Sequence, residues 1–360
     1  MNIYVDARWT RTDFHDGISR YTSGIIQGFK ENNIPITILI KDRKQLKMLP
    51  ADIPHLLVND PLSIKEFFLP LKLNDLGVDA VFTPFQIIGT WRRRYKLIVT
   101  LHDTIYYQHP QPPANTGPFQ KVIWRLFHMA AWPQRLLLNS ADCVATVSEY
   151  SKKNIQDLHL TDREICVIYN APVLKKSDVK KDSKRTKNIV YMGSFMPYKN
   201  VELLIKGMDL LPKDFILNLL SKIPINRRQE LERIIPKDAW VVFHNGVSDE
   251  KYINMLNEAY CLASASKEEG FGLPIIEAQI LGTPVVCSDM TIFHEVAGDG
   301  ALYFDYNDPK EYAKQIEKLS DEKFRKELVK KGIANADKFT WKNSAAKLYS
   351  ILEKYVNTSK

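Results

Sequence analysis

Short β-rich runs alternate with longer helical stretches along this chain, and after one polar interruption the alternation begins again. In the first half the strand-like runs are 3–6, 36–40, 80–83, 97–101 and 143–147, with helical stretches at 18–32, 119–139 and 149–158. In the second half they are 189–192, 215–220, 240–243, 261–263 and 284–287, between helical stretches near 200–211, 226–235, 248–258 and 274–281. Several runs are apolar throughout, as strands buried on both faces are. This succession predicts two doubly wound α/β domains, each a parallel sheet with helices on both faces. Residues 1–172 and 188–340 are the expected domains, and 341–360 should form a C-terminal helix. Between the domains, 173–187 (VLKKSDVKKDSKRTK) is rich in lysine and poor in apolar side chains, which predicts a solvated linker. Open sheets bind ligands at the carboxyl ends of their strands, so a cleft between the domains is the expected site.

Composition narrows the function classes. The chain has 360 residues, 45% of them hydrophobic, enough for two cores and too apolar for a disordered chain. No run of about 18 apolar residues occurs, and MNIYVDAR lacks the form of a signal peptide, so neither a membrane span nor secretion is expected. Cys143, Cys166, Cys261 and Cys287 are far apart and form no CxxC pair. That argues against a zinc site or a disulfide framework, and for a reducing, cytoplasmic setting. His15, His55, His109, His128, His159, His244 and His294 show no metal-ligand spacing, so no metal is expected. The net charge of +8 is uneven: +4 over 1–172, +5 over 173–187 and −1 over 188–360. No recognised nucleic-acid motif accompanies it, so nucleic acid is not an expected partner.

The most informative stretch is 266–286, SKEEGFGLPIIEAQILGTPVV. A strand leads into a glycine-containing loop, and Pro274 opens a helix, where its missing N–H is not needed. Gly270 and Gly272 let backbone pass close to a ligand, and the amides at the helix start suit phosphate or sugar hydroxyls. Glu269 on the loop and Glu277, read as lying on the first helical turn, can face one ligand. Two carboxylates suit polyol hydroxyls. Glu268 reads as a solvated loop carboxylate.

Glu269-Gly-Phe-Gly-Leu-Pro-x-x-Glu277-Ala, followed by Gly282-Thr-Pro-Val-Val, resembles the Glu-x7-Glu signature of retaining glycosyltransferases of family 4. The resemblance implies the two-domain GT-B fold, two Rossmann-like domains facing across a cleft, and a nucleotide-sugar donor used without a bound metal or other cofactor. Tyr191-Met-Gly193-Ser194-Phe-Met-Pro-Tyr-Lys199-Asn200 resembles the family's phosphate-binding loop. His244-Asn-Gly246-Val247 resembles the loop that holds the base, and Phe339-Thr-Trp341 opens a helix like the one that returns to the N-domain. Many members carry Arg where this chain has Ser194, so Lys199 acts more alone or another cation helps.

In the first half, Asp16-Gly17-Ile-Ser-Arg20 resembles the glycine-containing loop near the donor phosphates. His102-Asp103 at a strand end resembles a pair facing the donor sugar, in a subset that includes mannosyltransferases. The resemblance implies transfer of a hexose, mannose favoured, to a hydroxyl of a glycan or lipid-linked acceptor in surface polysaccharide or glycolipid synthesis. Lys199 and the amides of Gly272 and Leu273 would take the diphosphate, Glu277 the ribose, and Glu269 and His102 the sugar. Gly193, Ser194, Gly246, Val247, Gly270, Phe271, Gly17 and Asp103 complete the expected donor contacts. A UDP-hexose transferase, a UDP-sugar 2-epimerase of the same fold and a non-catalytic nucleotide-sugar sensor are the alternatives.

Two basic stretches stand apart from this chemistry. Residues 91–96 read Trp-Arg-Arg-Arg-Tyr-Lys. Over 118–139, Phe119, Val122, Ile123, Leu126, Phe127 and Ala130 recur at helical spacing, with Lys121, Arg125 and His128 largely on the other side. Two readings stay open: contact with an anionic membrane at its inner face, or a core-facing helix with a solvated basic side.

Overall fold

In the computed structural model, which describes residues 1–109, 117, 131–180 and 185–358, two parallel sheets carry the chain. The first has seven strands: β1 (Ile3–Asp6), β2 (Thr37–Ile40), β3 (His55–Leu57), β4 (Ala80–Thr83), β5 (Lys96–Thr100), β6 (Cys143–Thr146) and β7 (Glu164–Val167). Their order is β3-β2-β1-β4-β5-β6-β7. The second has six: β8 (Asn188–Tyr191), β9 (Ile216–Leu219), β10 (Trp240–Phe243), β11 (Cys261–Ser264), β12 (Val285–Ser288) and β13 (Leu302–Phe304). Their order is β10-β9-β8-β11-β12-β13.

Both orders reverse direction once, between β1 and β4 in the first sheet and between β8 and β11 in the second. At such a switch point the loops leaving neighbouring strands splay apart and open a crevice beyond the strand ends. The inner strands β1, β4, β6 and β12 are buried along their whole length, which accounts for their apolar runs, each closed by one buried polar residue at the carboxyl end: Asp6, Thr83, Thr146 and Ser288. Strands β3, β7 and β13 escape the sequence pattern. The first two are edge strands of three and four residues that each begin on a polar, exposed side chain, and the three-residue β13 is the outer strand of its sheet.

The chain divides into two units, Met1–Ala171 with Phe339–Lys360, and Pro172–Lys338. In the first unit, the helix Trp341–Asn357 packs on the helix Gly17–Glu31. Glycine makes this contact close: a Cβ on Gly28 would lie 2.1 Å from the Trp341 carbonyl oxygen, and one on Gly24 2.1 Å from the indole. Ser344 donates to the Tyr169 carbonyl (2.7 Å), and Lys354 and Tyr355 both meet Glu164 (2.8 Å).

The basic stretch 173–187 groups with the second unit and is less free than its composition implies. Its described ends are pinned by backbone acceptors and an amide side chain, which offset the lack of apolar contact. Arg185 donates to the carbonyls of Ala259 and Gly282, and the Lys180 amide donates to Asn257 (2.9 Å). Of the expected helix 119–139, the described part is Trp132–Asn139; residues 118–130 lie outside the described residues. Among the described residues no helix is long and apolar enough to cross a membrane.

Candidate active site

In the second unit the loops leaving β8 and β11, the two strands at the switch point, bring Lys199 and Glu269 together. The loop after β8 ends in a short 3-10 turn, Pro197–Lys199, and Asn200 follows in the left-handed region with its side chain on the Tyr306 carbonyl (2.8 Å). The Lys267 amide donates to the Tyr198 carbonyl (2.7 Å), tying one loop to the other. Lys199 Nζ forms an ion pair with Glu269 Oε2, and both side chains are largely shielded, 12% and 19% exposed. Gly193, Lys199, Ser264, Ser266, Glu269, Gly272, Pro274 and Phe293 line one recess.

Glycine is required at two of these positions. Gly272 has φ +97°, and a Cβ there would also press on Phe293 at 3.0 Å. A Cβ on Gly193 would lie 2.8 Å from the Tyr191 hydroxyl. The Gly193 amide donates to Ser221 Oγ (3.2 Å) and Tyr191 donates to the Ser194 carbonyl (2.6 Å). Ser221, on the loop after β9, is a neighbour that sequence reading missed. The helix Leu273–Ile280 starts at this recess with no side-chain cap on its first amides, since Gly272 occupies the capping position. Those amides are the positive end of the helix. Leu273, not Pro274, is the first helical residue, and Gly270 and Phe271 are buried in the preceding loop.

Two carboxylates differ from expectation. Glu277 is the fifth residue of the helix, on its second turn, and is 6% exposed. Its Oε2 accepts a hydrogen bond from Tyr252 (2.7 Å), on the helix Asp249–Glu258. Glu268 is buried rather than solvated, because the loop turns it inward while Lys267 before it stays exposed. Gly246 has φ +102°, and its amide donates to the Leu220 carbonyl (2.9 Å). The Lys222 side chain lies over it, 3.0 Å from where a Cβ would stand.

In the first unit, Gly17 and His102 also lie beyond strand ends near the switch point. Asp16 caps the helix Gly17–Glu31 by accepting from the Ser19 amide (2.9 Å), and it pairs with Arg11. Burial opposes ionisation of Asp16, but the Ser19 amide and Arg11 outweigh it and hold its pKa below the usual value. A Cβ on Gly17 would meet nothing within 4 Å, so packing places no demand for glycine there. Asp103 accepts from the Ile105 amide (3.0 Å).

His102 Nε2 lies 2.8 Å from the Pro84 carbonyl, and the ring stands edge-on to Tyr21 with centroids 4.9 Å apart. A carbonyl only accepts, so Nε2 carries the hydrogen and Nδ1 of the neutral ring is an acceptor. Burial lowers the His102 pKa from 6.5, more strongly than the Pro84 carbonyl and Asp16 raise it. The unfolded chain therefore takes up this proton at higher pH than the folded one, and stability falls as pH drops through 6.5 towards the folded value. His102→Asn should remove that dependence: the wild-type melting temperature should fall relative to the variant between about pH 7.5 and 5.5. Parallel curves would show that His102 does not titrate differently on folding.

Solved structures place these two units in a known architecture. Anabaena Alr3699/HepE, in complex with UDP, matches at a TM-score of 0.75 and 16% identity, over 98% of this chain and all of the other. The fold is GT-B, the two-domain architecture of many sugar transferases. Residues 15–172 match the family model described as Glycosyltransferase Family 4, and residues 174–338 the one described as Glycosyl transferases group 1. The chain belongs to the family 4 glycosyltransferases. It is 30% identical over 230 residues to the O-antigen chain mannosyltransferase RfbU of Salmonella typhimurium, covering 62% of this chain and 61% of that one. It is 29% identical over 228 residues to O-antigen chain mannosyltransferase B of Escherichia coli, covering 57% and 59%. The matched stretch thus spans about three fifths of each of these relatives.

Proposed function

We propose that this chain transfers a hexose, with mannose favoured, from a nucleoside diphosphate sugar to a hydroxyl of a glycan or lipid-linked acceptor, with retention, in surface polysaccharide or glycolipid synthesis. The observation that carries the reading is the recess at the β8–β11 switch point, where Lys199, Glu269 and an uncapped helix start converge. A leaving diphosphate needs preorganised positive charge, and Lys199 with the amides of Gly272 and Leu273 supplies it. The two named mannosyltransferases among the relatives support mannose, and with it a GDP-linked donor.

Glu277, held by Tyr252, accepts from ribose hydroxyls. Glu269 accepts from sugar hydroxyls while keeping Lys199 extended into the recess. The Gly246 amide is engaged by the Leu220 carbonyl, and the Val247 backbone and the Gly246 carbonyl take the base. In the first unit, neutral His102 offers Nδ1 to a sugar hydroxyl. The bond from C1 to the diphosphate oxygen breaks and the bond from C1 to the acceptor oxygen forms on the same face. The acceptor proton passes to the departing phosphate, so no protein nucleophile and no metal is assigned. Thermal-shift titration with GDP-mannose, UDP-glucose and ADP-glucose tests the donor. GDP-mannose should give the largest stabilisation. A larger UDP-glucose shift would replace the donor, and no shift with any nucleotide sugar would overturn the reading.

A further inference from the structure

Four large apolar side chains project from one stretch of the first unit: Leu62 (75% exposed), Ile64 (89%), Phe67 (49%) and Phe68 (56%). Phe67 stacks on Trp91 with centroids 4.4 Å apart, and Phe68 meets both rings edge-on. The loop after β3 and the loop after β4 therefore form one apolar surface.

This surface is held by a buried network. Arg8 is fully buried, with paired hydrogen bonds to Asp6 (both 2.8 Å) and to Glu66 (2.6 and 3.0 Å). Glu66 also accepts from the Gly89 amide (2.7 Å). A Cβ on Gly89 would lie 2.1 Å from the Glu66 carbonyl, so glycine lets the second loop seat against the first. Asn74 then fixes the Trp91 loop, accepting from the Arg94 amide (2.8 Å) and donating to the Arg92 carbonyl (2.9 Å). A buried multi-charge network is a costly way to anchor a surface turn, and here it keeps large apolar groups in water.

The exposed charges on these two stretches are positive, and the exposed carboxylates that border them are Asp60, paired with Lys41 (2.6 Å), and Asp75. Lys65, Lys72, Arg92 and Arg94 are exposed, while Glu66, the one carboxylate in residues 62–72 and 90–94, is buried against Arg8. Arg92 adopts φ +55°, a conformation costly for a non-glycine residue, and its guanidinium lies 4.7 Å over the Trp91 ring.

We propose that this surface docks on an anionic lipid bilayer. Leu62, Ile64, Phe67 and Phe68 enter the boundary between headgroups and acyl chains, and the four cations face lipid phosphates. Apolar and aromatic groups surrounded by Lys and Arg have the chemistry of an interfacial anchor. A second copy of the chain fits poorly, because apposing this surface with itself would bring like charges together. The proposal stands on the first unit alone and does not depend on the transfer reading.

Flotation of the full chain with vesicles tests it. Wild type should float with vesicles containing phosphatidylglycerol, should not float with pure phosphatidylcholine, and should be released by salt. Ile64→Asp with Phe67→Asp should abolish flotation, and Arg92→Glu with Arg94→Glu should weaken it by about tenfold or more. These positions are exposed, so melting temperatures should hold within about 2 °C. The proposal is overturned if wild type does not float, or if both variants float like wild type. It is equally overturned if flotation is lost only on Lys121→Glu with Arg125→Glu. A wild-type dimer that these variants dissociate, with no vesicle binding, would assign the surface to a second copy instead.

Discussion

Lys199→Ala should lower kcat for sugar transfer by about 10²- to 10³-fold while leaving the fold intact, the usual cost of removing one preorganised donor to a developing anion. The ammonium is shielded and paired with Glu269, and a charge in such a site acts more strongly than one in bulk water. Its removal also leaves the Glu269 carboxylate facing the leaving group without a counter-charge. Lys199→Ala with Glu269→Gln should therefore recover part of the lost rate, a coupling that a double-mutant cycle reads directly. Steady-state kinetics with circular dichroism check both expectations. A kcat within about threefold of wild type would remove Lys199 from the mechanism.

Glu277→Ala should weaken donor binding by about tenfold to a hundredfold, the range for lost hydrogen bonds to a charged group. Turnover should fall by orders of magnitude without unfolding. The buried carboxylate is oriented by Tyr252, so Tyr252→Phe should give a smaller loss of about threefold to tenfold. That gradation separates a donor ligand from a purely structural carboxylate, which would lower the melting temperature and spare affinity. Calorimetric titration of the donor into both variants measures it. Unchanged affinity in Glu277→Ala would contradict the assignment.

The repeated strand–helix pattern carries most of the architecture, because inner strands of a parallel sheet are buried on both faces and must be apolar. The outer strands β3, β7 and β13 lack that requirement, and their short sequences do not announce a strand. Local spacing identifies the loop around Gly272, where φ +97° demands glycine. It misplaces Glu277, because a seven-residue interval says how far apart two side chains are in sequence and not which turn each occupies. Contacts made through the fold are invisible in sequence: Tyr252 on Glu277, Ser221 on the Gly193 amide, and the burial of Glu268. Arg8 lies two residues beyond β1, and nothing local shows that it meets Glu66, 58 residues away. The net charge of +8 divides in the same way. Part lies in the stretch 173–187, and part in the cations beside Trp91.

Proton NMR of GDP-mannose incubated with the enzyme tests retaining sugar transfer at the anomeric centre itself. Retaining transfer should give loss of the donor signal, formation of GDP, and first appearance of the transferred or released mannose as the α anomer of the donor. First appearance of the β anomer, or a nucleotide sugar altered in its ring with no transfer, would contradict it.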